Sequence, residues 1–158
     1  MSHVAERIRP ATSPRIEAAR LFARRTPLIL VVEDTPRISE AIREISTFLG
    51  VAVERIGPER ELLHALRDRR PMAVIAELDA PSRDGCHVMM EMAEYDRNLP
   101  LMLLTGPSQV LAGAADAVEE LCALRALTLI QELPPIGGFV EFVFRAGQSG
   151  QCLGLLPL

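Results

Sequence analysis

Two apolar runs in this chain end on acids, and those acids are the residues with the most chemical potential. Leu28–Val32 leads directly into Glu33-Asp34, and Met72–Ala76 leads into Glu77. Continuous apolar runs of this length suit strands buried on both faces. In open α/β sheets, sites form in the crevice outside the carboxyl ends of such strands. Were the two strands neighbours, Glu33, Asp34 and Glu77 would converge. Three clustered carboxylates repel one another, and a hard divalent cation, Mg²⁺ above all, relieves that repulsion. The segment after Glu77, Leu-Asp-Ala-Pro-Ser-Arg-Asp-Gly, is a loop by composition. It adds Asp79 and Asp84, of which Asp84 suits a turn before Gly85.

Other chemistry is sparse. His3, His64 and His87 are isolated, and Cys86, Cys122 and Cys152 are scattered without metal-ligand spacing. There is no Gly-rich phosphate loop and no nucleophile–base pair.

The elements that position the acids follow from periodicity. Beyond Leu28–Val32, Asp34-Thr35-Pro36 can cap a helix carrying Ile38, Ala41, Ile42, Ile45, Phe48 and Leu49, closed by Gly50. Val51–Ile56 reads as a strand nearer a sheet edge, and Leu62, Leu63 and Leu66 mark a second helix ending at Arg67–Arg70. Met72–Leu78 is the third strand, and Val88, Met89, Met92 and Ala93 form the next helical stripe. Leu101–Thr105 and Ala126–Ile130 are further strands. A helix between them, within Gln109–Leu124, is expected to pack Val110, Leu111, Ala114, Ala117, Val118, Leu121 and Cys122 on one face. A last helix is built on Phe139, Val140, Phe142, Val143 and Phe144. Strands alternating with helices across short loops call for a parallel sheet covered on both faces, an α/β three-layer sandwich.

Composition sets the bounds. The 158 residues are 49% hydrophobic, within the globular range. A net charge of −4 offers no electrostatic case for nucleic acid. No apolar run approaches the ~20 residues of a membrane span, and the reading is a cytoplasmic protein with reduced cysteines. Residues 1–26 form an Arg/Ala-rich extension with a short helix expected after Ser13-Pro14. Residues 27–147 form the main domain, and 148–158 an apolar tail.

Taken together, VVED at 31–34, ELDAPSRDG at 77–85 and LLTG at 103–106 resemble the receiver domain of two-component response regulators. The resemblance implies a flavodoxin-like (βα)5 fold with strand order 2-1-3-4-5. It implies that Glu33 and Asp34 help hold Mg²⁺, and that an acid at the end of the third strand accepts a phosphoryl group. The family's Pro and Gly, four and eight residues after the acceptor, fall on Pro81 and Gly85, which makes Glu77 the acceptor-equivalent residue. The family's phosphoryl-contacting hydroxyl falls on Thr105, for which a β-branched strand-end residue is the plainer reading. Its switch aromatic falls on Ile130, and its lysine on Leu133. All 17 basic residues are arginine, so no lysine can fill that role.

Glutamate at position 77 moves the nucleophile outward by a methylene, and a misplacement of about an ångström can cost ~10²-fold in rate. Loss of a preorganised cation costs another ~10²–10³-fold. The implied function is therefore a stand-alone, atypical receiver (a pseudo-receiver) that acts by contact with a signalling protein: a histidine kinase, a phosphotransfer protein or a regulator. A homodimer through the last-helix face is a further expectation. The alternative is a working phosphoacceptor that uses Glu77 or Asp79 with Mg²⁺. A small flavodoxin-like enzyme ranks below both.

Overall fold

The structure, a computed structural model, describes residues 26–148. The expected helix within 15–25 and the apolar tail from 149 onward lie outside the described residues. Five strands, β1 (Leu28–Val32), β2 (Ala52–Ile56), β3 (Ala73–Glu77), β4 (Leu101–Leu104) and β5 (Leu127–Ile130), alternate with five helices. These are α1 (Ile38–Phe48), α2 (Leu62–Arg69), α3 (Gly85–Tyr95), α4 (Gln109–Cys122) and α5 (Ile136–Ala146). The sheet is parallel throughout and ordered β2-β1-β3-β4-β5. This is the flavodoxin-like architecture, with β1 and β3 adjacent through the register Val32↔Ala76.

Side-chain alternation along the strands builds two cores. Leu28, Leu30 and Val32, with Val74, Ala76, Leu101 and Leu103, face one layer and meet Leu62 and Leu66 of α2, Met89 and Met92 of α3, and Ala115 of α4. Ile29, Val31, Ala73, Ile75, Met102 and Leu104 face the other and meet Ile38 and Ile42 of α1 and Phe139, Phe142 and Val143 of α5. Each large side chain removed from water this way contributes about 1.5–3 kcal/mol. β1 and β3 are buried on both faces, which is why both read as unbroken apolar runs.

Gly85 is required by packing. A Cβ there would stand 2.7 Å from Leu78 Cα and 2.9 Å from Leu103 Cδ1, while the Gly85 N–H donates to the Leu78 carbonyl at 2.9 Å. The start of α3 is thereby pressed against the end of β3, with Asp84 capping the His87 N–H at 2.8 Å.

Three local expectations are corrected. The N-terminus of α1 carries no cap from Asp34; Glu33 reaches it instead. Phe48, placed on the packed stripe of α1, is the helix's last residue and is 84% exposed. On α4 the packed residues are Leu111, Ala115, Val118 and Cys122, whereas Val110 and Leu121 are 82% and 85% exposed. The helix is apolar on most sides, and the sheet takes only one of its stripes.

Candidate functional site

The carboxyl ends of β3, β4 and β5 open, beside the start of α1, on a cleft of about 620 Å³. Arg37, Ile38 and Ala41 of the α1 start line it, with Glu77 and Asp79, Leu104, Gly106 and Pro107, and Gln131, Glu132 and Leu133 after β5.

Glu33 continues β1 by one residue, its N–H donating to the Ile56 carbonyl at 3.3 Å. That parity turns its side chain toward α1, where it is 2% exposed. Its carboxylate accepts from the backbone N–H groups of Arg37 (3.1 Å), Ile38 (2.6 Å) and Ser39 (3.1 Å), and from the Ser39 hydroxyl. Helix N-termini leave N–H groups without partners and carry positive partial charge, so a buried acid is well placed there. Glu33 therefore holds α1 in place.

Asp34, one residue on, points the other way. Its carboxylate accepts from the Ser82 N–H at 3.1 Å and from the Ser82 hydroxyl, tying the loop after β3 to the end of β1. The Arg55 guanidinium donates to the Asp34 carbonyl. Glu77, with its side chain 22% exposed, forms an ion pair with the Arg37 guanidinium.

Glu33, Asp34 and Glu77, expected to share one cation, thus each meet a different protein partner. No cluster of three metal-ligating side chains exists among the described residues. The strand ends are adjacent as expected, but alternation sends consecutive acids to opposite sides, and each finds a different partner. As arranged, each carboxylate is held by a protein donor, so Mg²⁺, which takes one or two carboxylates and completes its shell with water, would have to compete with those donors.

Thr105 is buried at the end of β4. Its N–H donates to the Ile130 carbonyl at 2.8 Å, and its Oγ1 lies 3.3 Å from that carbonyl and 3.1 Å from that of Gly106. The hydroxyl is therefore held at the β4–β5 junction. Ile130 and Leu133 are partly buried against the α1/α5 core, and Leu133 also lines the cleft. Pro81 is exposed in the loop, while Gly85 is buried.

Sequence reasoning missed Arg37 and Ser82. Arg37 opens the helix that follows an acidic strand end, so topology alone puts it at the mouth of the crevice. No comparable signal marks Ser82, which a loop must carry back across 48 positions to Asp34. Farther out, burial draws the Glu54 carboxyl upward, but hydrogen bonds and charge from Arg60 and Arg69 outweigh it and hold the group below the ordinary range. Burial first, then the charge of Asp84, pushes the Cys86 thiol up.

Comparison with known proteins agrees with this architecture. The model of the response regulator receiver domain matches residues 29–124. The response regulator MprA of Mycolicibacterium vanbaalenii is 32% identical over 126 residues, covering 72% of this chain and 54% of that protein. The C4-dicarboxylate transport transcriptional regulatory protein DctD of Pseudomonas aeruginosa is 28% identical over 82 residues, covering 52% of this chain and 18% of its own length. The chain thus spans about half the length of MprA, and less of DctD. Among solved structures, the beryllofluoride-activated NtrC receiver domain superposes with a TM-score of 0.59 at 20% identity, covering 80% of this chain and 98% of that one. The receiver domain of sensor histidine kinase PA1611 from Pseudomonas aeruginosa, with magnesium coordinated in its active-site cleft, gives 0.56 at 20% identity over 77% of this chain and 97% of that one. No helix among the described residues is long and apolar enough to cross a membrane. On the family match and the strand order together, the chain belongs to the response regulator receiver domain family.

Proposed function

We propose that this protein is an atypical receiver of two-component signalling that works by protein–protein contact without being phosphorylated. The observation that carries the reading is the state of residue 77. The position eight residues before Gly85 holds a glutamate, and that glutamate is already ion-paired to Arg37. A carboxylate nucleophile must approach phosphorus in line with its leaving group, with the developing charge neutralised by preplaced cations. Here the longer side chain is turned to a guanidinium, and Leu133 stands in the cleft where the family resemblance puts a lysine. Both features lower the acceptor's reactivity while leaving the fold intact.

The partner class is a signalling protein: a histidine kinase, a phosphotransfer protein or a regulator. Exposed apolar residues on α4 (Val110 and Leu121) and, on the opposite layer, at the start of α5 (Ile136) supply contact area. A homodimer through the last-helix face, that of α5, is the second form the contact can take. Asp79 favours one competing reading. It is exposed and lines the same cleft, so a phosphoryl acceptor two residues past the usual place is the alternative.

Intact-protein mass spectrometry after incubation with Mg²⁺ and phosphoramidate separates these readings. The expected result is no phosphoryl adduct on folded protein. An adduct that Glu77→Ala removes would make Glu77 a true acceptor and overturn the proposal. An adduct that survives it and disappears in Asp79→Ala would establish the alternative.

A further inference from the structure

We infer that the Arg37 guanidinium is the resident cation of this cleft, neutralising Glu77 in place of a divalent metal ion. The inference concerns the same cleft as the proposed function and rests on that reading. Three observations carry it. Glu33, the most buried of the three acids, is engaged by three backbone N–H groups and a hydroxyl. Asp34 is engaged by two donors of Ser82. The third acid, Glu77, meets the one guanidinium that lines the cleft, supplied by a residue just four positions after Glu33.

These features are coupled through α1. The amide that Arg37 gives to Glu33 fixes the first turn of the helix, and the same residue's side chain then crosses to β3. A guanidinium cannot be deprotonated in a protein, presents its donors in a planar fork suited to a carboxylate, and is less strongly hydrated than an ammonium. It is also tethered, so no ion is captured from solution to hold Glu77. A divalent ion entering between Asp34 and Glu77 would have to compete with the Ser82 contacts and sit beside the Arg37 guanidinium. Repulsion between such charges at close range acts directly against metal affinity.

The consequence is a receiver whose cleft has one charge state whatever the magnesium concentration. The test is a titration of the full chain with MgCl₂ at constant ionic strength, followed by ¹H–¹⁵N resonances of Asp34, Glu77 and their neighbours. In the wild type, no saturable shift is expected up to roughly 10 mM, a range in which an open carboxylate site would fill. Arg37→Ala and Arg37→Gln are each expected to gain saturable binding, at least about tenfold tighter than any wild-type response. Glu77→Ala in the Arg37→Ala background should abolish that gain. Saturable Mg²⁺ binding at these residues in the wild type would overturn the inference and needs no variant to fold. Folded Arg37 variants that stay silent would overturn it as well. A phosphoryl adduct is read by mass and metal occupancy by resonance shifts, so either conclusion can fail while the other stands.

Discussion

The carboxyl ends of β1 and β3 and the edge formed by β5 and α4 use their residues in opposite ways. At the first, the acids are engaged within the molecule: Glu33 by the start of α1, Asp34 by Ser82, Glu77 by Arg37. At the second, apolar side chains are left in water. Val110 and Leu121 stand out from α4, and no residue of β5 is fully buried. Where polar groups are mutually satisfied, a ligand must compete with existing hydrogen bonds. A region with bare apolar surface is open to recognition, because a partner need displace only water. Within one sheet, the ends of the central strands pair their acids inside the molecule and the edge leaves apolar side chains exposed.

The strongest test of that contrast lies under α5. Phe139 is 2% exposed and anchors the last helix to the sheet. Phe139→Ala should cost about 3–5 kcal/mol in chemical denaturation, from lost transfer energy and a residual cavity. A smaller loss would mean that α5 sits on the sheet more loosely than the burial of Phe139 indicates.

Glu33→Gln comes next. The amide presents donors to a set of N–H donors, leaving buried groups unpaired, and should cost about 1–3 kcal/mol. It should also raise hydrogen exchange in the first turn of α1 relative to α5. A neutral result would show that Glu33 does not hold the helix.

A smaller effect is expected of pH at Glu54, whose side chain is 24% exposed and paired to Arg60 and Arg69. Its folded value lies below the ordinary 4.5, so folding favours the charged form. That stabilisation is complete above the unfolded value and is lost as pH falls through the lower folded value. The stability of wild type relative to Glu54→Gln should therefore shrink over that acid window and stay level above it. Solvent screening keeps the whole effect within about 1 kcal/mol.

The smallest effect on folding is expected at the bare edge. Leu121→Asp should change stability by no more than about 0.5 kcal/mol, as exposed positions do. The same change should weaken partner binding or self-association, measured by analytical ultracentrifugation with and without a candidate partner. A variant that binds as well as wild type would remove α4 from the contact surface.

How far these features were legible varies with the physics behind them. β1, β3 and β4 were plain because strands buried on both faces must be apolar at every position. The spacing from Glu77 to Gly85 was readable through the family resemblance, and the packing supplies its physical reason, since a Cβ at 85 would stand 2.7 Å from Leu78 Cα. The face of α4 was misjudged for the opposite reason. Leu111, Ala115, Val118 and Cys122 repeat at helical spacing, and so do Val110, Ala114, Ala117 and Leu121, so periodicity cannot choose between them. Asp34 was taken as the α1 cap because caps normally sit beside the first turn. Glu33 took the role from the strand end, where side-chain parity aims it at the helix.

Local order is thus determined by the sequence alone: which segments are strands, which are helices, and that acids stand at two strand ends. Periodicity and burial are properties of neighbouring residues, so the chain carries them without reference to distant parts. The tertiary structure decided which partner each acid meets. Arg37 reaches Glu77 across forty positions and Ser82 reaches Asp34 across forty-eight, and such pairings exist only after β1 and β3 lie side by side. Which protein donor each of the three carboxylates meets follows from side-chain direction at the ends of packed strands.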